Sequence, residues 1–224
     1  MKNKAIILLS GGLDSLVSLD IARDDFDVSL AITFDYGQKA LDKEIDASKK
    51  ICEYYGMSHK IIKLDWLKDI TKTSLVSDEE IPNGIQETSN SVWVPNRNGL
   101  FLNIAGCFCD SYDYDAIIIG ANKEEGQTFP DNTQEFIEKV NEEFQYSTKK
   151  QPRVIAPLIN LNKNDIVKQA ILRSVPLEFV YSCYDGKEKN CGHCESCTRL
   201  KNALMANNDE KYIGILFDED DISR

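Results

Sequence analysis

The chain has 224 residues, 42% of them apolar and 28% charged, and carries a formal net charge of −11. That length suits one large α/β domain, or a domain with a small appendage, and can bury a sizeable core. The acidic balance argues against a protein built to wrap a nucleic-acid backbone, which needs clustered Lys and Arg, and no stretch reaches the ~18 apolar residues of a membrane span.

Strand-like apolar runs alternate with helical patterns. Lys4–Leu9 is continuously apolar, as in a strand covered on both faces. A glycine turn, Ser10-Gly11-Gly12, follows it, and Ser15–Arg23 continues as a helix. Asp27–Phe34 is a second strand, Ala40–Tyr55 a helix and Ser58–Leu64 a third strand. Thr71–Pro95 is long and polar, a candidate lid. Asn98–Asp110 is a helix, Asp115–Gly120 a fourth strand and Asp131–Tyr146 an amphipathic helix. Arg153–Ala156 is a short fifth strand, and Asn162 caps a helix running to Ser174. This rhythm predicts an α/β fold, a parallel sheet with helices on both faces. Its binding crevice should lie at the carboxyl ends of the strands. The acidic run Asp218-Glu219-Asp220-Asp221 reads as a solvated tail. Met1-Lys2-Asn3-Lys4 and the brief apolar run after it do not make a secretory signal, so the cytoplasm is the expected compartment.

A strand ending in Ser-Gly-Gly and opening a helix suits a phosphate. The glycines permit close backbone approach, and the free N–H groups and dipole of the helix start favour an anion. Ser15 can donate a hydroxyl, whereas Asp14 fits loop ordering or Mg²⁺ better than phosphate. The pattern is neither the Walker loop nor Gly-x-Gly-x-x-Gly. A plain βα turn is the bland alternative.

Seven cysteines are present. Cys52, Cys107 and Cys109 read as buried thiols. Cys183, Cys191, Cys194 and Cys197 fall within fifteen residues; four thiolates can close a tetrahedral, structural zinc site, and Cys-x-x-Cys knuckles turn two sulfurs toward one ion. An iron–sulfur cluster is the rival. His193 lies inside a knuckle and is expected to face outward.

Ser10-Gly11-Gly12-Leu13-Asp14-Ser15 resembles the PP-loop of the N-type ATP pyrophosphatases. That superfamily cleaves ATP between the α- and β-phosphates and adenylates a substrate oxygen. Together with the cysteine cluster, further blocks resemble the QueC family of 7-cyano-7-deazaguanine synthases. They are Phe34-Asp35-Tyr36-Gly37-Gln38, Val94-Pro95-Asn96-Arg97-Asn98, Gly120-Ala121-Asn122, Pro157-Leu158 with Lys163, and Tyr181-Ser182-Cys183-Tyr184. All but the last are expected at the carboxyl ends of strands. The chain departs from many bacterial members at Gly126–Thr133, and at Lys39-Ala40, where they have Arg-His.

The resemblance implies a Rossmann-like nucleotide-binding domain over 1–178 and a small zinc-binding region over 179–224. It implies ATP and Mg²⁺ held along Leu9-Ser10-Gly11-Gly12-Leu13-Asp14-Ser15-Leu16-Val17-Ser18-Leu19. Catalytic roles fall to Ser10, Asp14, Ser15, Lys163 and Arg97, and zinc to Cys183, Cys191, Cys194 and Cys197. Tyr36, Gln38, Arg97, Phe129 and Asp131 are the substrate contacts, with Trp93 a further aromatic in the crevice loops. Bland alternatives stand beside them: a surface salt bridge for Arg97, a solvated helix end for Lys163, core packing for the aromatics and a helix cap for Asp131. His59 reads as a packed strand histidine. The implied reaction turns 7-carboxy-7-deazaguanine and ammonia into a nitrile through adenylated acid and amide. Three alternatives remain: a relative that stops at the amide or joins the acid to another amine such as a protein terminus, a tRNA-modifying PP-loop enzyme, and a non-enzymatic zinc-stapled module. A homodimer is implied, nucleic-acid and membrane partners are not.

Overall fold

A computed structural model describes residues 2–77, 79, 81 and 91–217. Five parallel strands form one sheet in the order β3-β2-β1-β4-β5. They are β1 (Asn3–Leu8), β2 (Phe26–Asp35), β3 (Ser58–Lys63), β4 (Ala116–Ile118) and β5 (Arg153–Ile155). The order reverses between β1 and β4, so a switch-point crevice opens at the carboxyl end of β1. β4 is half the length expected; Ile119 still donates to the Ile155 carbonyl at 3.0 Å, and Ile119 and Gly120 line the crevice.

The helices sort onto the two faces. α1 (Leu13–Ala22) and α2 (Leu41–Tyr55) follow β1 and β2. They share a core with α6 (Lys163–Leu172) and α7 (Glu195–Ala206), built on Ala5 and Ile7 of β1. α4 (Arg97–Tyr112) and α5 (Gln134–Ser147) cover the other face over Ile6, Ile32 and Ile117. Alternation along β1 therefore feeds both cores, which is why its sequence is continuously apolar from Ala5 onward. Short helices α3 (Asp65–Ile70) and α8 (Lys211–Leu216) complete the described elements longer than one turn.

Several boundaries moved. Asn162 does cap α6, in a capping box with Asp165. α5 starts at Gln134 because Thr133 caps it through the Phe136 amide at 3.2 Å; Asp131 sits in a short 3₁₀ turn before it and is not the cap. Cys52 and Cys109 are buried, but Cys107 is exposed on the outer side of α4. β3 is an edge strand, where His59 is half-buried and bonds Thr33 Oγ1 at 2.8 Å. The described parts of Thr71–Pro95 contribute Leu75, Val76, Val92 and Val94 to the second core. Residues 82–90 of that stretch lie outside the described residues, as does the 218–221 acidic run. Among the described residues no helix is long and apolar enough to cross a membrane.

Candidate active site

The crevice at the switch point holds a cavity of about 250 Å³. Its floor is the turn after β1. Gly11 has φ +77°, and a Cβ there would lie 2.7 Å from Ala47 Cβ and 2.9 Å from the Glu44 carbonyl oxygen, so only glycine fits. Gly120, at the exit of β4, lies against the other side of the turn, where a Cβ would come within 2.9 Å of the Ser15 nitrogen. The Tyr181 amide donates to the Gly11 carbonyl at 2.9 Å. The turn is thus wedged between α2, β4 and the segment leading to the cysteines.

Gly12 stands at the N-cap of α1, and no side chain caps that helix. Its first amides are left to a ligand, unlike those of the fully boxed α6. Ser15 Oγ donates to the Gly12 carbonyl at 3.0 Å and lies 3.3 Å from Ser10 Oγ, tying the loop to the first helical turn. Leu9, Ser10, Gly12, Leu13, Asp14 and Ser15 line the cavity. Leu16, Val17, Ser18 and Leu19 do not. All four are fully buried behind the turn, so their part is to seat α1, a correction to the nucleotide-contact run.

Lys163, brought in at the first position of α6, donates to Asp14 Oδ2 at 2.6 Å and lies 4.0 Å from Glu125 Oε1. It is 8% exposed, which rules out the solvated helix end. Burial alone would depress its ammonium, but Asp14 and Glu125 outweigh burial and hold it above its ordinary value. Its amide donates to Glu124 at 2.7 Å, and Glu124 also pairs with Arg199 of α7. Asn122 Nδ2 donates to Asp14 Oδ2 at 3.3 Å, while Asp14 Oδ1 is buried and has no partner among the described residues. Burial raises the Glu125 carboxyl, against the pull of Lys163.

The opposite wall is aromatic. Phe34 stacks on Phe101 at 3.9 Å between centroids, and Trp93 on Phe129 at 5.9 Å. Arg97 Nη1 donates to Tyr36 Oη at 3.2 Å, and among the described residues no carboxylate lies within ion-pair distance of Arg97. The surface salt bridge is therefore absent. Burial opposes its charge, but Tyr36 and Asp131 keep the guanidinium firmly protonated. Asp131 lines the same wall, its carboxyl raised by burial against the opposing effect of Arg97.

Gln38 is not on this wall. It is 5% exposed, and its amide is taken up by Tyr36 N, Phe34 O and Glu44 Oε2 at 3.0, 2.9 and 2.8 Å. It holds the loop after β2 in shape and offers the cavity nothing, a correction to its expected substrate contact.

The third wall is Tyr181, Ser182, Tyr184, Glu195 and Ser196. The Tyr181–Tyr184 block, expected away from the strand ends, reaches the cleft. Sequence reasoning also missed Glu44, Glu125 and Glu195; acids in the first turns of α2 and α7 were the available signal for Glu44 and Glu195. Behind this wall the Sγ atoms of Cys183, Cys191, Cys194 and Cys197 all lie within 4.8 Å of one another, all four residues buried. Cys191 and Cys197 are 3.9 Å apart, close to the ~3.8 Å edge of a tetrahedron with ~2.3 Å metal–sulfur bonds. The amides of Cys191 and Cys194 donate to Cys183 Sγ and Cys191 Sγ at 3.4 and 3.3 Å, as suits thiolates. His193 is exposed, outside the sulfur group.

Known proteins resemble this chain. Residues 4–208 match the family model described as Queuosine biosynthesis protein QueC. The 7-cyano-7-deazaguanine synthase of Methanosarcina barkeri is 48% identical, over 90% of this chain and 93% of that protein. Its counterpart in Methanosarcina mazei is 50% identical over 95% of each, and that of Carboxydothermus hydrogenoformans 49% over 91% and 99%. Among solved structures, NMN synthetase from Francisella tularensis superposes with a TM-score of 0.51 at 14% identity, covering 92% of this chain and 78% of that one, a likeness of fold alone. With the family model spanning nearly the whole chain and relatives this similar along their full length, the chain belongs to the QueC family.

Proposed function

We propose that this chain is an ATP-dependent carbon–nitrogen ligase that converts 7-carboxy-7-deazaguanine and ammonia into 7-cyano-7-deazaguanine. One observation carries the reading: a single cleft joins an uncapped glycine turn, suited to phosphate, to an aromatic wall with one unpaired guanidinium. Relatives bearing the synthase name, at 43–50% identity, supply the substrate class.

A carboxylate resists ammonia because its oxygen leaves poorly. Adenylation makes that oxygen part of AMP, ammonia displaces AMP to give the amide, and adenylation of the amide oxygen lets a second AMP leave as C≡N forms. The chain's part is positioning and charge neutralisation. Ser10, Gly12, Ser15 and the open amides of α1 hold the phosphates. Lys163 neutralises charge on the departing pyrophosphate, its own charge secured by Asp14. Arg97 grips the acid or a phosphate with its fork. Tyr36 and Phe129 offer faces to a flat heterocycle, and Asp131 an acceptor for its amino edge.

The orphaned, buried Asp14 Oδ1 is an acceptor with no donor, and it suits a hard cation. Mg²⁺ there would neutralise phosphate oxygens. The tight four-sulfur group suits one zinc ion in a closed, structural site and is too compact for a polynuclear cluster. Residues 1–178 then form the nucleotide-binding domain and 179–224 the zinc-binding region. A cytoplasmic homodimer goes with this reading, and light scattering checks the dimer.

The test is incubation with ATP, ammonium and the carboxy acid, with masses of base and nucleotide read together. Nitrile accompanied by AMP and pyrophosphate is expected. Amide as the end product, or a conjugate with another amine, would replace the reading with that of an amide-forming relative.

A further inference from the structure

Glu44, Glu125 and Glu195 line the cleft without a role in that scheme, and Glu44 stands apart from the other two. Glu44 stands in the first turn of α2 and lines the cavity. Its Oε2 accepts the 2.8 Å bond from Gln38, whose own amide is locked by Phe34 and Tyr36, so the carboxylate has a fixed orientation. Among the described residues no donor bonds Oε1, and no Lys or Arg lies within ion-pair distance of Glu44. The other cleft acids differ. Asp14 is paired with Lys163 and Glu195 with Arg199, while Glu125 stands 4.0 Å from Lys163. Asp131 bonds Asn132 on the aromatic wall.

Glu44 also sits against the glycine turn, since its backbone oxygen is one of the two atoms that exclude a side chain from Gly11. Glu44 lines the same cavity as Ser10, Gly12, Asp14 and Ser15 of the phosphate floor. An unpaired negative charge beside bound triphosphate is repulsive unless a cation or proton accompanies it. The proposed reaction brings such a cation, because ammonia reaches the protein mainly as ammonium at neutral pH.

Resting on the ligase reading, we propose that Glu44 captures ammonium and takes its proton, releasing ammonia against the acyl-adenylate. One N–H bond breaks, the proton passes to Oε1, and the electron pair stays on nitrogen. That pair forms the C–N bond to the acyl carbon. The C–O bond to AMP breaks, with its electrons leaving on AMP, and the new nitrogen loses one proton to water to give a neutral amide. Burial raises the Glu44 carboxyl, against the Gln38 bond and Arg97, and so makes it a better proton acceptor. Arg97 from α4 and Tyr36 from the loop after β2 are the charged and titratable groups facing it.

Exchange of pyrophosphate into ATP by the wild-type protein, dependent on the deazaguanine acid, tests the ligase reading by itself. Glu44→Gln is then compared with ammonium and with hydroxylamine, which is uncharged at neutral pH. Exchange should stay within about threefold of wild type, and hydroxamate formation likewise, while amide formation from ammonium at pH 7 falls about 100-fold. The ammonium rate of the variant should climb about tenfold per pH unit, following free ammonia, and Glu44→Asp should recover part of the loss. Equal losses with ammonium and hydroxylamine, an equal loss in exchange, or a raised Mg²⁺ requirement in exchange would overturn the role of Glu44 and leave the ligase reading standing.

Discussion

Lys163 and Asp14 meet at 2.6 Å across the floor of the cleft, although 149 residues separate them in the chain. Each needs the other: the lysine is buried, and the aspartate already has one oxygen without a partner. Removing one partner of such a pair is far more damaging than never having it. Lys163→Met should lower stability by about 3 kcal/mol, and Tm by roughly 6–12 °C. Adenylation should fall at least ~100-fold. The double variant Asp14→Asn/Lys163→Met should recover most of the stability and none of the activity, read by thermal melts and pyrophosphate exchange.

Gly11→Ala places a methyl group against Ala47 and Glu44 in a left-handed backbone. The strain should lower stability by about 1–3 kcal/mol and weaken ATP binding, because the turn must shift to relieve it. Calorimetric titration with a non-hydrolysable nucleotide checks it.

Arg97→Lys keeps the charge and loses the fork. With Tyr36 Oη as its one bonded side-chain partner among the described residues, this change has little structure to break, so melts should stay near wild type. The KM for the carboxy acid should rise at least about tenfold. A KM change confined to ATP would move Arg97 to the nucleotide instead.

Loss of an ion held by the four sulfurs should reach the cleft as well as the cysteine segment. Tyr181, Ser182, Tyr184 and Glu195 line the cavity from the segment that holds Cys183 and Cys194. Cys191→Ser, or chelation, should lower both Tm and nucleotide affinity. Elemental analysis of the intact protein should give about one zinc per chain; iron with labile sulfide would contradict the site.

Glu44 and Glu125 are raised above their ordinary 4.5 by burial. A carboxyl whose pKa rises on folding binds protons more tightly in the native state, so stability falls as pH rises through the window above 4.5. Glu44→Gln should therefore stabilise the ligand-free protein at pH 7.5 and hardly at all at pH 4, measured by urea unfolding at both values.

The alternation of apolar strands with helical periodicity made the parallel sheet, the turn after β1 and the sulfur group legible in the sequence. Local chemistry sufficed there: glycines next to a helix start, and knuckles a few residues apart. What stayed hidden depends on contacts made across the fold. Nothing near Gln38 shows that its amide is consumed by Phe34, Tyr36 and Glu44, or that Leu16–Leu19 face inward behind the loop. The partner of Lys163 is likewise a product of topology, since α6 must return beside α1 to bring them together.

The bond from the Tyr181 amide to the Gly11 carbonyl joins an early part of the chain to a late one. A ribosome makes the glycine turn long before it makes the brace that holds it. During synthesis the glycine turn precedes its brace, and the full shape of the turn waits until Tyr181 has been made. Fragments lost to stalling or proteolysis, even with the whole Ser-Gly-Gly-Leu-Asp-Ser stretch intact, would then be silent and not wasteful consumers of nucleotide.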